Sequence, residues 1–263
     1  MKPDYKNWFP KGMVYGFFSG TAVCLAFLFI VLFVDFIPMK SFQAMLVLVF
    51  GVLSVIMIVI SIWGFKMHQA FSYDGKRQMS RQIIEGVASY ITIPAGGRGL
   101  DVGCGSGALA IAVAKKNPGA TVVGIDRWGK EYASFSKTLC ENNAKAESVT
   151  NTSFFPGDAV NLNFEDESFD AVFSNYVYHN IPSSNRQEIL LETLRTLKKG
   201  GVFAIHDIFS QNKYGDMNAF LATLKSMGYE NVELIDTTKG MFMTPREANW
   251  MMLSGSALLV GRK

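Results

Sequence analysis

The residues with the clearest chemical potential lie between Asp101 and Gly107, where glycines occupy alternate positions after an acidic residue. An apolar run precedes Asp101, and the helix-forming residues ALAIAVAKK follow Gly107. Because glycine lacks a Cβ and tolerates positive φ, this stretch predicts a tight turn from a strand into a helix. The free amides and the dipole at the start of that helix favour a nucleotide-like ligand.

Two ligand classes use this geometry. Gly103-x-Gly105-x-x-Ala108 fits the dinucleotide fingerprint, and Asp126 lies 21 positions beyond Gly105, near the roughly 20 expected of a carboxylate that binds ribose hydroxyls. The same stretch fits an acidic residue, one spacer and G-x-G-x-G, which resembles the first motif of S-adenosylmethionine (SAM)-dependent methyltransferases. A tight turn without a ligand is the third alternative.

Two histidines follow adjacent predicted strands. His179 follows the fourth strand and His206 the fifth, so both are expected at the edge of the sheet where ligands bind. Imidazole titrates near neutral pH and is a natural general base, and Asp207 could orient it. A hydrogen-bonded structural histidine is the alternative. The spacing of His179, His206 and Asp207 matches no recognised metal-ligand pattern, so we expect no metal.

Strands alternate with helices over the C-terminal two thirds of the chain, which predicts an α/β fold with a mostly parallel sheet. The strands are predicted at Arg98–Val102, Thr121–Ile125, Val149–Phe155, Ser168–Ser174, Val202–Phe209, Asn231–Thr237 and Ser256–Gly261. The helices are predicted at Arg77–Ile91, Ala108–Lys116, Gly129–Glu147, Ser184–Lys198 and Tyr214–Met227.

The first 65 residues contain two long apolar runs, Met13–Ile37 and Phe42–Phe65, joined by a short turn. A bilayer core of ~30 Å takes about 20 helical residues, so these runs predict a transmembrane hairpin over residues 1–65. A buried soluble hairpin is the alternative. Positive charge flanks the outer ends, at Lys2, Lys6, Lys11, Lys66, Lys76, Arg77 and Arg81. We therefore expect two spans, with both termini and the domain over residues 66–263 in the cytoplasm.

Composition excludes some functions. The chain has 263 residues and a formal net charge of +3, and acidic and basic residues nearly balance after the hairpin, so no nucleic-acid partner is expected. Cys24, Cys104 and Cys140 are scattered and form neither a disulfide framework nor a metal spacing. A reducing compartment is the simple interpretation.

Four segments in order, LDVGCGSG, VVGID, FPGDA and SFDAVFSNYVYH, resemble the motifs of the class I SAM-dependent methyltransferases. The resemblance covers roughly Phe71 to Lys263 and is greatest to the small-molecule, quinone and sterol methyltransferases. It implies a Rossmann-like seven-stranded sheet whose seventh strand is antiparallel, and SAM as the cofactor.

The resemblance also implies roles for individual residues. The turn Gly103, Cys104, Gly105 and Gly107 would pass beneath the methionine part of SAM, and Asp101 would orient that turn or reach the ammonium group. The remaining cofactor-binding residues implied are Asp126 at the ribose, Arg127 beside it, Trp128 at the adenine, Gly157, Asp158 and Ala159 at the adenine amino group, Asn175 and Tyr176 beneath the methyl group, and Tyr73 over the methionine carboxylate.

We therefore expect a membrane-anchored methyltransferase that acts on a small apolar or membrane-partitioned acceptor. The alternatives are a nicotinamide-dependent oxidoreductase and a non-catalytic SAM-sensing membrane protein. An apolar segment late in the chain, containing Met241, Phe242, Met243, Trp250, Met251 and Met252, either caps the acceptor pocket or is ordinary core. The acceptor atom and the oligomeric state stay open.

Overall fold

The computed structural model describes residues 2–33, 39–129 and 134–263. The chain forms two compact units. One contains Asn7–Ser80, and the other contains Arg81–Lys263 together with the N-terminal residues up to Lys6.

The first unit is a helical hairpin of α1 (Lys11–Phe33) and α2 (Lys40–Ala70). Small and polar residues let the two helices approach closely, as is common between membrane helices. The hydroxyls of Thr21 and Ser61 hydrogen-bond at 2.8 Å, and a Cβ on Gly64 would lie 2.7 Å from the ring of Phe17. Asp35, expected near the far end of the first span, lies outside the described residues.

The outer ends of this hairpin are joined to each other. The side-chain amide of Asn7 donates to the carbonyl of His68 (2.8 Å), and Nδ1 of His68 hydrogen-bonds with the carbonyl of Phe9 (2.7 Å). The chain therefore enters α1 and leaves α2 at the same end of the helix pair.

Among the described residues, α1 and α2 are the helices long and apolar enough to cross a membrane. In each helix only 11% of the most apolar window is buried. The core helix of a soluble protein would instead hide most of its apolar residues.

The second unit is built on a seven-stranded sheet in the order β3-β2-β1-β4-β5-β7-β6. Its strands are β1 (Arg98–Val102), β2 (Thr121–Asp126), β3 (Thr152–Pro156), β4 (Phe169–Asn175), β5 (Leu197–Ile208), β6 (Glu230–Asp236) and β7 (Ser256–Arg262). The first five pair in parallel, and β7 is antiparallel to both β5 and β6. The predicted Rossmann-like sheet with an antiparallel seventh strand is confirmed.

Apolar strand residues and helices build the core around this sheet, including Leu100, Val172, Phe203 and Ile205. The helices are α3 (Met79–Ser89), α4 (Ala108–Lys116), α5 (Lys137–Ala146), α6 (Arg186–Arg195), α7 (Gln211–Tyr214), α8 (Met217–Ser226) and α9 (Pro245–Trp250).

Three predicted helices were wrong in extent. The one predicted from Gly129 begins at Lys137, where the hydroxyl of Ser136 accepts from the amide of Leu139, although residues 130–133 lie outside the description. The helix predicted over Ser184–Lys198 ends at Arg195, since Leu197 already pairs with Phe169 in the sheet.

The helix predicted over Tyr214–Met227 is interrupted, because Gly215 adopts φ +70° and ends α7. Asp216 then caps α8 by accepting from the amides of Asn218 and Ala219.

The residues before the hairpin are attached to the second unit. The amide of Asp4 donates to Oδ1 of Asn143 (2.7 Å), and Nδ2 of Asn143 donates to the carbonyls of Asp4 (3.0 Å) and Ser106 (2.9 Å). One buried side chain on α5 thus connects the N-terminal segment with the glycine turn after β1.

Candidate functional site

The turn after β1 has the backbone that its glycines predict. Gly103, Gly105 and Gly107 have φ of +75°, +55° and +80°, in the left-handed region. The amides of Gly103 and Cys104 donate to the carbonyl of Ile125 at 2.8 and 2.9 Å. A Cβ on Gly103 would lie 2.4 Å from the side chain of Val177, so this position accepts glycine alone.

Asp126, the last residue of β2, holds this turn in place. Its Oδ2 accepts from the amide of Gly105 and its Oδ1 from the amide of Trp128, both at 2.8 Å. The indole N–H of Trp128 in turn donates to the carbonyl of Gly105 (3.0 Å). A carboxylate offers about four lone-pair sites, so Asp126 retains acceptor capacity for ligand hydroxyls.

Asp101 lies inside the protein, where only 1% of its surface is exposed. Its Oδ2 accepts from the amide of Ala110, and burial raises the pKa of this carboxyl to about 8. Of the two roles expected of it, this geometry serves the first: it attaches the opening turn of α4 to the end of β1.

The loop after β3 meets Asp126 from the other side. The amide of Gly157 donates to the carbonyl of Asp126 (3.0 Å), which brings Asp158 and the buried Ala159 to the same edge of the sheet. Oδ2 of Asp158 lies 3.9 Å from Nε of the exposed Arg127.

Cys104 and Tyr73 were also expected to bind the cofactor. The thiol of Cys104 is buried beside Cys140, and burial raises its pKa, so Cys104 offers the turn its backbone rather than a reactive sulfur. Tyr73 belongs to the unit Asn7–Ser80, and its role over the cofactor stays a prediction.

His179 and Asp207 form a pair at the carboxyl ends of β4 and β5. Nδ1 of His179 hydrogen-bonds with Oδ1 of Asp207 at 2.5 Å, and the amide of His179 donates to Oδ2 at 3.2 Å. Asp207 is fully buried, whereas the side chain of His179 is 13% exposed. Nε2 of His179 has no hydrogen-bond partner within the described ranges.

His206 occupies a different environment. Its Nδ1 hydrogen-bonds with Oδ1 of Asn175 (2.8 Å) and its Nε2 with the hydroxyl of Thr237 (3.0 Å), and the residue is fully buried. Burial lowers the pKa of His206 to about 3, so its ring is neutral. With both nitrogens occupied, His206 is arranged to support the site and not to exchange protons with a substrate.

Tyr176 lies between the two histidines, with ring centroids 4.6 Å from His206 and 5.9 Å from His179. Its φ of +55° is uncommon for a bulky residue, and such strain collects at functional sites. Its hydroxyl hydrogen-bonds with that of Ser256 (2.8 Å), and burial raises its pKa, which keeps the phenol protonated.

Thr237 and Ser256 were missed from the sequence. Thr237 follows β6 and hydrogen-bonds with His206, 31 positions earlier in the chain. Ser256 begins β7 and hydrogen-bonds with Tyr176, 80 positions earlier. No local pattern marks such contacts. In the part of the chain that the structure describes, no group of three metal-ligating side chains could hold a metal ion.

Comparison with known proteins identifies this arrangement. A family model described as a methyltransferase domain matches residues 100–205, from β1 into β5. Residues 100–205 form a methyltransferase domain. The predicted family and its cofactor, SAM, are confirmed. Asp126 of the methyltransferase domain fits that cofactor, because its carboxylate accepts from the amides of Gly105 and Trp128 and still has lone pairs for ribose hydroxyls.

The relatives are similar in part of their length. The chain is 30% identical to a sterol 24-C-methyltransferase of Yarrowia lipolytica, over 59% of this chain and 40% of that one. It is 38% identical to a demethylmenaquinone methyltransferase of Staphylococcus aureus, over 41% of each chain. It thus spans about two fifths of the length of both relatives.

Among solved structures, the [4+2]-cyclase SpnF has a similar fold, with a TM-score of 0.55, 19% identity and coverage of 72% of this chain and 84% of that one.

We expect His206 to make the domain less stable in acid. Its pKa is about 3 in the folded protein and 6.5 ordinarily, so the unfolded chain binds a proton in that range that the native state does not. The contribution of the neutral His206 to the free energy of unfolding is therefore complete above about pH 6.5 and is lost as the pH falls toward 3. Urea unfolding of wild type and His206→Gln across this range measures the effect, and stability curves that stay parallel would contradict it.

Proposed function

We propose that this chain is a membrane-anchored methyltransferase that moves the methyl group of SAM to a small, membrane-partitioned acceptor. The pair His179–Asp207 is the observation that carries the proposal, because it holds an imidazole at the carboxyl ends of β4 and β5 whose Nε2 has no hydrogen-bond partner among the described residues. Val177, two residues before His179, fills the space that a side chain on Gly103 would need.

The residues that would hold SAM lie around the ends of β1, β2 and β3. The turn Gly103–Gly107 would follow the methionine part, Asp126 would accept from the ribose hydroxyls, and Asp158 with Ala159 would bind the adenine. When bound, SAM supplies a methyl group on a positively charged sulfur. The chain therefore needs to orient the acceptor, exclude water and remove a proton.

His179 would remove that proton. Its Nε2 would accept the proton of an acceptor hydroxyl or acidic C–H as the oxygen or carbon bonds to the methyl group. Asp207 keeps the ring oriented through Nδ1 and stabilises the imidazolium, since its charge is buried against the ring. Base catalysis of this kind contributes about 10²–10⁴-fold to rate.

The acceptor class follows from two separate observations. The relatives are named for a sterol and for demethylmenaquinone, both apolar molecules. This chain also carries two helices of membrane length whose apolar side chains are largely exposed. An acceptor dissolved in the bilayer fits both observations, whereas the nearly neutral composition after the hairpin favours no nucleic acid.

Two alternatives are less well supported. A nicotinamide-dependent oxidoreductase would share the glycines and Asp126, but the family match extends through the Asp158 and Asn175 segments. A non-catalytic SAM sensor would share the fold. An enzyme with a different reaction would share it too, since SpnF is named a cyclase. Nε2 of His179, which has no hydrogen-bond partner among the described residues, favours catalysis, because a sensor needs no such base.

Both outer ends of the hairpin are proposed to face the cytoplasm. The bonds of His68 to Asn7 and Phe9 put the two ends on one side of the helix pair, and lysines and arginines flank both. We expect tags before Met1 and after Lys263 to be protected from external reagents in intact cells and labelled after permeabilisation. Labelling of either tag in intact cells would contradict this topology.

We expect Asp126→Ala to weaken SAM binding roughly tenfold to over a hundredfold, because each hydrogen bond to a charged group contributes about 1.5–3 kcal/mol. Asp126→Asn, which keeps an acceptor oxygen, is the matched control and should lose less. Calorimetric titration of the purified full-length protein gives both affinities. Wild-type affinity in a folded Asp126→Ala protein would remove this residue from the site.

We expect His179→Gln to lower turnover by about 10²–10⁴-fold while leaving the affinity for SAM unchanged, because the base acts on the acceptor. Asp207→Asn should lower turnover in the same direction, and Asn180→Ala, an exposed neighbour, should keep wild-type activity. The assay measures labelled methyl transfer from SAM in membranes. Full activity in His179→Gln would refute the proposed base.

A further inference from the structure

The connection between β6 and β7 divides its apolar residues between the inside and the outside of the domain. We name residues 239–252 the cap segment. Within it Phe242, Met243 and Met251 are buried, with 6%, 2% and 5% of their surface exposed. By contrast, 39% of Met241, 39% of Trp250 and 74% of Met252 are exposed. The expectation of either a pocket cap or ordinary core therefore describes only the inner half.

The cap segment lies at the edge of the sheet that holds the site. Because β6 and β5 are each antiparallel to β7, they run in the same direction, and the connection leaving β6 starts at the carboxyl edge. The ring of Phe242 meets that of His206 edge-on with 5.3 Å between centroids, and its amide donates to the carbonyl of Thr237 (3.2 Å). The inner half thus belongs to the wall around His206.

The outer half has the composition of a membrane-interface surface. Arg246 and Trp250 are four residues apart on α9 and share one face, an arrangement in which tryptophan sits at the headgroups and arginine reaches the phosphates. Met252 is held outward at φ +59°, which a non-glycine residue rarely adopts. A capping box between Thr244 and Glu247 secures the start of α9.

We propose that the cap segment docks on the bilayer, with Met241, Trp250 and Met252 entering the interfacial layer. The proposal rests on the membrane anchoring proposed above, since the two membrane-length helices of the same chain keep a bilayer within reach of the domain. Apolar side chains gain about 25 cal/mol per Å² on leaving water, so docking stabilises an otherwise exposed surface. Phe242 then connects the docked surface with the wall of the site around His206.

The experiment attaches an environment-sensitive dye to the thiol of Met252→Cys in the full-length protein. Cys24→Ser removes the partly exposed native thiol, and Cys104 and Cys140 stay because they are buried and do not compete for the dye. Met241→Cys is the second position. Met227→Cys is the matched control: it is 56% exposed and lies just before β6, at the opposite edge of the sheet. Each protein is reconstituted in nanodiscs of phosphatidylcholine and phosphatidylglycerol, with plain or brominated acyl chains.

We expect the dye at 252 and 241 to emit at shorter wavelength, to be quenched by brominated chains and to be about tenfold less accessible to iodide than the dye at 227. Equal iodide access at 252, 241 and 227, without quenching by brominated chains, would overturn the proposal. Shielding that instead rises with protein concentration and ignores brominated chains would show self-association, which also overturns it.

Failure of docking and failure of the proposed function are separable in the same samples. Flotation with liposomes tests anchoring by the hairpin, and SAM titration tests the cofactor site, and neither depends on the dye positions. A protein that floats and binds SAM but leaves residue 252 in water loses only the docking proposal.

Discussion

The left-handed backbone from Gly103 to Gly107 is the constraint on which the rest of the site depends. It directs the amides of Gly103 and Cys104 to the end of β2 and leaves no room for a side chain where Val177 approaches Gly103. The end of β2 secures it twice, through the carbonyl of Ile125 and the carboxylate of Asp126. Val177, which packs against Gly103 in this turn, precedes the proposed base His179 by two residues.

Burial gives the two strand-end histidines different properties. His206 is surrounded by Asn175, Thr237 and the ring of Phe242, and its neutral ring completes a hydrogen-bonded wall. His179 lies one strand away, where a buried carboxylate holds Nδ1 and Nε2 has no hydrogen-bond partner in the described part of the chain. The cost of burying charge thus separates a supporting residue from one suited to proton transfer, although both are histidines at adjacent strand ends.

Exposed apolar side chains characterise two other parts of the chain, the helical hairpin and the cap segment. In the helical hairpin most large side chains face outward, and in the cap segment the outward residues continue directly into the wall of the site. Exposing either apolar surface to water is unfavourable because of the hydrophobic effect. A catalytic domain tethered to lipid and docked through its acceptor side would let an apolar acceptor reach the base without crossing the aqueous phase.

Local signals in the sequence determined the glycine turn, the succession of strands and helices along the chain, the carboxylates at the strand ends and the two long apolar helices. Each depends on spacing within a few residues, which is why all seven strands and the helix over Ala108–Lys116 could be predicted. The same signals overextended the helices near Gly129 and Tyr214, because caps at Ser136 and Asp216 and the turn at Gly215 decide those ends.

Tertiary structure alone decided which histidine keeps a free nitrogen, that Thr237 and Ser256 support the site, and which half of the cap segment faces outward. These features arise from burial and from hydrogen bonds between residues far apart in the chain, which no local pattern encodes.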